Sequence, residues 1–531
     1  MPSADRPIRV LTNDDGWILG TYGPPIRKED LCDRMVAPHE GTPFDTFIWN
    51  VGGREVFSYE TEVGERFAWD VTTFADPAER TRAENLRHLV DSHGGPLALI
   101  AQSCHRIGMK FFASLRMNTH YNTDDDALGF GRFRREHPEL LIGRPGEELH
   151  PGDPLWGLRT GKDFAFPAVR DLMNSVACEL VERFDVDGIE LDFMRHPGNF
   201  RPHEAYANRY LLTDMVQQLR RRMDAAGKTR GRRLELAVRV APTLDDSTRL
   251  GMEVEEWIGE GLVDLVVVGL GFNPFEARVA EFAAAAAGTG CRILGCFEAL
   301  RPVMDTEVLR AIAARYWDEG ADGLYFFNFY SMSAEWKRAV VGELVDPAAL
   351  ARGDKIYEID RARGGARDSQ IGHAFRYCLP LEQLPVRLEE VRAERSATLR
   401  LDVVDDIAGA QRNGALGSCV LGLGFEGLAA GDEVVVKLNG LDLTWRDRRL
   451  PAEPGTRQAY TADWASYPSR LATVPFESEP VEFDLEADWL RRGRRDPPGP
   501  ARRTRRRPWC WRTNASGFAT STRPLPAQGC R

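Results

Sequence analysis

The stretch "VDGIELDFMRHP", residues 186–197, places two carboxylates, Glu190 and Asp192, two positions apart in an apolar run that stops at Arg195-His196-Pro197. Extended backbone alternates its side chains, so Ile189, Leu191 and Phe193 share one face while Glu190, Asp192 and Met194 share the other. A charge buried without a partner is costly. Two acids on one face of a buried strand therefore imply company: a cation, hydrogen-bond donors, or a further carboxyl with which to divide proton donation and acceptance. Other apolar runs end in such company. Asn13, Asp14 and Asp15 follow "IRVLT", Trp49, Asn50 and Arg54 end the second run, and Arg116, Asn118 and His120 end the third. Arg239, Asn273, Glu298, Asn328 and Tyr330 stand at or just beyond the ends of later runs. A core has no use for so many polar groups at one rim.

The elements that must position these residues are eight strand candidates, at 8–12, 44–50, 109–118, 187–194, 234–240, 263–271, 292–298 and 323–329. Between them lie stretches with helical apolar spacing, among them 168–184, 205–223, 277–288 and 307–320, the last two ending on glycine. Eight β/α repeats predict an α/β chain folded as a closed (β/α)8 TIM barrel, with its active site at the C-terminal ends of the strands. Glu190 and Asp192 then lie on strand 4, facing inward near the mouth. The connection after strand 3, about 119–166, is far longer than common loops and is expected to be an ordered lid or subsite wall.

The barrel is expected over residues 1–345 and a connector over 346–395. Period-two runs such as "SATLRLDVV" and "GDEVVVKLNGLDL" predict a C-terminal β-sandwich over 396–490, a carbohydrate-binding or packing domain. The last segment, 491–531, holds twelve arginines and one acid and is read as a disordered or non-native basic tail. The formal charge of −11 thus conceals a body of −22, which disfavours nucleic acid as a partner. No run approaches the ~18 apolar residues of a membrane span, and the opening residues lack a signal-peptide core, so a cytoplasmic location is expected. Nine cysteines without metal-ligand spacing predict free thiols. Phosphate-cradling and dinucleotide-binding patterns are absent, so no cofactor and no metal is expected.

The "DGIELDFMRHP" spacing, the "FRREHPELLIG" segment after strand 3, "GADGLYFFNF" at strand 8 and the trailing β-rich region together resemble the glycosyl-hydrolase-like barrel proteins loosely grouped with family 10 glycosidases. The resemblance covers roughly residues 7–480 and implies a barrel that acts on an oligosaccharide or polysaccharide. Strand 4 is also similar to the "DGxDxDxE" signature of family 18 chitinases, with Asp187, Glu190 and Asp192 on its acidic positions. Met194 falls where that signature has its catalytic glutamate, and a methionine cannot donate a proton.

Glycoside cleavage in its two-carboxylate form needs a proton donor and a nucleophile or base, about 5–5.5 Å apart for retention and about 6.5–9.5 Å for inversion. Asp192 or Glu190 on strand 4, with Glu298 on strand 7, are the candidate catalytic residues. A like charge would raise the Asp192 pKa; Arg195 or Arg239 would lower it. A structural reading of Glu190 is a salt bridge with a barrel arginine. Asp14, Asp15, Trp49, Arg116, Asn118, His120, Arg195, His196, Arg239, Asn273, Asn328 and Tyr330 are the candidate substrate-binding residues. Trp17 and Trp156 offer further stacking faces. Arg116, Arg195 and Arg239 at adjacent strand ends suggest an anionic group on the sugar. Two rival readings remain: a catalytically silent carbohydrate-binding barrel, and a metal-dependent barrel lyase or isomerase.

Overall fold

The computed structural model describes residues 7–16, 18–53, 55–119, 128–150, 153, 155–271, 273–298, 305–329, 332–359, 383–384, 386, 396–425, 435–443, 456–461, 470–475 and 480–490. The chain divides into Met1–Gly493 and Arg494–Arg531, and the basic tail lies outside the described residues.

Eight parallel strands form a closed barrel: β1 (Arg9–Asp14), β2 (Thr46–Gly52), β3 (Lys110–Arg116), β4 (Gly188–Asp192), β5 (Glu235–Val240), β6 (Leu265–Val268), β7 (Arg292–Glu298) and β8 (Gly323–Phe327). Each pairs with the next, and β8 pairs with β1 to close the ring. All eight strand candidates are strands. The helices Pro167–Arg183 and Thr306–Asp318 match their periodic stretches closely, and Val279–Ala286 is shorter than its stretch. Ala205–Arg230 runs seven residues beyond its stretch and stops at Gly231, whose φ of 67° suits the left-handed C-terminal cap.

Pleating sorts the strand side chains into two layers. Leu11, Ile48, Phe112, Ala237, Leu265, Val267, Leu294, Cys296, Tyr325 and Phe327 pack as one cluster inside the barrel, and the alternate residues pack against the helices. At the N-terminal end the Arg9 guanidinium donates to Asp45, Thr46 and Glu235, while Lys110 also binds Glu235. This ion network closes the bottom of the barrel.

The long connection after β3 is built around a buried ion triad. Glu55 accepts from Arg134 and, at 3.2 Å, from Lys162, and Arg134 also donates to the carbonyls of Thr119 and Thr160. All three side chains are almost fully buried. One buried acid thereby fixes the described part of the connection to the chain leaving β2.

Beyond the barrel, the described strands form three separate two-stranded antiparallel sheets. They pair Val420–Gly424 with Pro480–Asp484, Val436–Leu438 with Leu441–Leu443, and Thr456–Thr461 with Arg470–Pro475. Val481, Phe483 and Leu443 centre a small apolar cluster there. Lys355 and Tyr357, which follow the barrel, bind Asp405 at the start of this region. Most of the expected connector, 346–395, lies outside the described residues.

Gly188 opens β4 where a Cβ would stand 2.3 Å from the Glu235 carbonyl oxygen and 2.7 Å from the Phe112 ring. Gly188→Ala should therefore cost about 1–3 kcal/mol through overpacking, measured as a lower urea midpoint with unchanged slope.

Candidate active site

β4 carries Glu190 and Asp192 on the inward face, as the alternation requires, and both are almost completely buried. Their surroundings differ. Asp192 stands directly across from Arg239 in the β4–β5 register, so their side chains leave neighbouring strands on the same face. Arg239 binds it bidentately, Nε to Oδ1 at 2.9 Å and Nη2 to Oδ2 at 2.8 Å, while its guanidinium lies 4.0 Å from the centroid of the Phe327 ring. Oδ1 also accepts from the backbone N–H groups of Met194 and Arg195 as the chain turns out of the strand. Burial alone would push the Asp192 carboxyl up, but Arg239 outweighs it and holds the group below the usual aspartate value.

Glu190, one pleat deeper, has no such cation. Its Oε2 accepts from Ser114 Oγ at 2.6 Å. Burial and the neighbouring Asp192 charge push its pKa up to about 7, with Arg239, Ser114 and the nearby Tyr325 hydroxyl only partly offsetting them. β4 thus presents one carboxyl held ionised and one that is neutral below about pH 7. The salt bridge of the structural reading belongs to Asp192, not to Glu190.

Glu298 ends β7 and is buried. Asn328 Nδ2 donates to its Oε1 at 3.2 Å from the end of β8. Asn328 adopts φ 64°, in the left-handed region, where a non-glycine residue is uncommon and asparagine is among the better tolerated. Gly271, with φ 78°, lets the chain after β6 approach so closely that a Cβ there would meet Glu298 backbone at 2.6 Å.

Several predicted binding residues have other work. Trp49 and Asp14 occupy the outward pleat of their strands. Trp49 is fully buried against the helices and offers no stacking face. Burial raises the Asp14 pKa to about 7, and the same effect brings its neighbour Lys337 down to about 7, with Lys337 Nζ 3.5 Å from His39 Nε2. Asn118 donates to the Lys162 and Gly198 carbonyls and accepts from the Lys162 and Thr119 N–H groups. Its amide is saturated by backbone and has nothing left for a ligand. Arg116 is paired with Asp15. Two of the three arginines behind the anionic-substrate expectation, Arg116 and Arg239, are therefore already paired with protein carboxylates.

Arg195 and His196 are buried beside the β4 turn, Asn273 is half-buried after β6, and Trp156 has Arg159 stacked 3.9 Å from its ring centroid. His120, Tyr330, Trp17 and Arg54 lie outside the described residues. Sequence reasoning missed Ser114, Tyr325 and the Glu55–Arg134–Lys162 triad. Ser114 and Tyr325 were accessible by counting alternate positions back from the strand ends, whereas the triad joins segments that no local spacing relates. Among the described residues no group of three or more His, Cys, Asp or Glu side chains is placed to hold a metal ion, and no helix is long and apolar enough to cross a membrane.

Fold and site together define a (β/α)8 barrel with a buried acidic mouth. No family model and no curated protein matches the chain. Solved structures similar to it include alpha-L-fucosidase isoenzyme 2 from Paenibacillus thiaminolyticus, at 14% identity and a TM-score of 0.39, covering 71% of this chain and 51% of that one. The PgaB (BpsB) glycoside hydrolase domain from Bordetella bronchiseptica matches at 13% identity and a TM-score of 0.39, over 66% of this chain and 100% of the domain. TtGalA, an alpha-galactosidase from Thermus thermophilus, matches at 14% and 0.39, over 66% of this chain and 63% of the galactosidase. The chain spans about half the length of the fucosidase. These likenesses carry no argument about the reaction, which must be read from the residues.

Removing one partner of a buried ion pair strands the other, at a cost of about 3–5 kcal/mol. Arg239→Met should lose that much stability at pH 7, and the double variant D192L/R239M should recover most of it. Equal losses in both would show that Arg239 acts through packing alone.

Proposed function

We propose that the chain is a glycoside hydrolase acting on an oligosaccharide, with Glu190 as proton donor and Glu298 as the second carboxylate. The observation that carries this reading is the divergence of the two β4 acids. A carboxyl kept protonated near neutrality beside one kept ionised is the division of labour that acid catalysis requires. Asp192 moves from the reacting pair to a supporting part, in which its charge keeps the Glu190 proton in place and its bond to Arg239 keeps its own carboxylate still. Ser114 orients Glu190, and Asn328 orients Glu298. The resemblance of strand 4 and strand 8 to the glycosyl-hydrolase-like barrels supports the same substrate class. The β-rich region over 396–490 fits a β-sandwich that packs on the barrel or binds carbohydrate.

The silent-binder reading is favoured by two observations: Asp192 is engaged by Arg239 through both oxygens, and Met194 stands where the chitinase-like signature has its glutamate. Glu190→Gln and Glu298→Gln separate the two readings. Against a panel of p-nitrophenyl glycosides, an enzyme should lose at least about a hundredfold in kcat in each variant and keep sugar binding in calorimetry. Wild-type protein that binds sugar and turns over none of the panel or of natural oligosaccharides supports the silent binder.

The raised Glu190 pKa also fixes the sign of two pH effects. A proton donor works only while protonated, so kcat should fall as pH rises through about 7. The folded state binds the Glu190 proton more tightly than the unfolded state, so its contribution to stability is complete below the ordinary glutamate value of 4.5 and is lost as pH rises to about 7. Glu190→Gln should remove that decline from a series of urea titrations between pH 4 and 8. An unchanged decline would place the titration elsewhere.

A further inference from the structure

Inside the barrel, next to Glu190, lies a set of polar side chains that the proposed reaction does not use. Asn13 on β1 and Asn50 on β2 are two residues beyond Leu11 and Ile48 of the interior cluster, so they share its inward face. Tyr325 on β8 belongs to that cluster itself. These three strands are neighbours in the order β8, β1, β2, and the arc continues through Ser114 on β3 to Glu190 on β4. Asn13 is fully buried, and neither its Nδ2 nor its Oδ1 has a hydrogen-bond partner. Asn50 Oδ1 accepts from the Gly52 N–H at 2.7 Å, but its Nδ2 has no partner, and the Tyr325 hydroxyl faces the Glu190 carboxyl. Three buried amide atoms on one wall are thus left unsatisfied.

More than nine in ten buried polar groups in folded proteins are satisfied, so a concentration of orphans on one wall requires an explanation. Each atom suits a hydroxyl: an amide donates and accepts, and a phenol does either. The floor beneath them is apolar, formed by Leu11, Ile48 and Phe112. A wall of donors and acceptors above an apolar floor matches a sugar ring, with hydroxyls at its edge and C–H groups on its face.

Resting on the glycoside hydrolase reading, we infer that Asn13, Asn50 and Tyr325 form the subsite that holds the sugar ring beside Glu190, and that this recognition works through uncharged hydrogen bonds to ring hydroxyls. The substrate class at this subsite is a neutral sugar. An arrangement kept for a ligand rather than for the fold has a thermodynamic signature, because replacing an unsatisfied buried amide with an apolar side chain of similar size relieves the empty protein.

The test uses the full chain, as wild type and as N13L, N50L and Y325F. Saturation-transfer NMR and calorimetry would be run against glucose, galactose, mannose, fucose, xylose, N-acetylglucosamine and glucuronic acid, with ligand-free Tm in parallel. At least one neutral sugar should bind, each variant should weaken it roughly tenfold or more, and N13L should melt no lower than wild type. The inference is overturned if no neutral sugar binds, if glucuronic acid binds best, if the variants bind as wild type does, or if N13L melts lower or fails to fold. A crystal soaked in the bound sugar that keeps only water on these atoms overturns it as well. Turnover with unchanged kcat/KM in all three variants defeats this inference and leaves the hydrolase reading intact. Sugar binding that these variants abolish, in a protein with no turnover, defeats the hydrolase reading and leaves the subsite.

Discussion

The bidentate bond between Asp192 and Arg239 is the constraint on which the mouth of this barrel depends. Neither charge could stand buried alone, and their pairing follows from the register of β4 against β5. Once Arg239 is held by Asp192 and by the Phe327 ring, it reaches Glu190 only through its field. Glu190 is then left with a hydroxyl donor, a negative neighbour and little solvent, and its proton is retained to about pH 7. Burial, with the Asp192 charge beside it, thereby keeps the acid below the ion pair protonated.

The same logic recurs around the rim. Arg116 is held by Asp15, and Arg134 and Lys162 share Glu55. These interactions join segments distant in sequence, so each ties a connection to the barrel as well as neutralising a charge. The Glu55 triad ties the long connection after β3 to the end of β2 at two points. Buried ion pairs are weak sources of net stability. Their consequence here is positional, because the chain leaving each strand has one arrangement in which its charge is matched.

The barrel was legible in the sequence because strands buried on both faces read as apolar runs, and the helices between them repeat with their own period. The inward direction of Glu190 and Asp192 was legible for the same reason, and alternation alone would have removed Trp49 and Asp14 from the mouth had it been applied to β1 and β2. Pairing was not legible. Whether Arg239 meets Asp192 or Glu190 depends on a two-residue difference in register between strands separated by a long helix. The saturation of Asn118 depends on Lys162 and Gly198, which only the fold brings to it. The C-terminal region shows the opposite limit: its alternating runs predict strands, and antiparallel pairs are what the described residues form, but short alternating strands carry little information about which sheet they join.

Charge pairing also decides what kind of recognition the mouth can perform. An arginine already bound on both nitrogens of its fork has no bidentate face left for a uronate or a sulfate. Beside it on the barrel wall stand uncharged groups: two asparagine amides with unmatched atoms, a phenol, and a glutamic acid that is neutral through most of the range below pH 7. Selectivity built on such groups is strong, since a ligand lacking the matching hydroxyl leaves a buried donor or acceptor unpaired. It is also insensitive to salt, because screening acts on exposed charges and these groups are neither exposed nor charged. On the proposed reading, the pairing that holds Arg239 leaves the inner wall to read hydroxyl geometry.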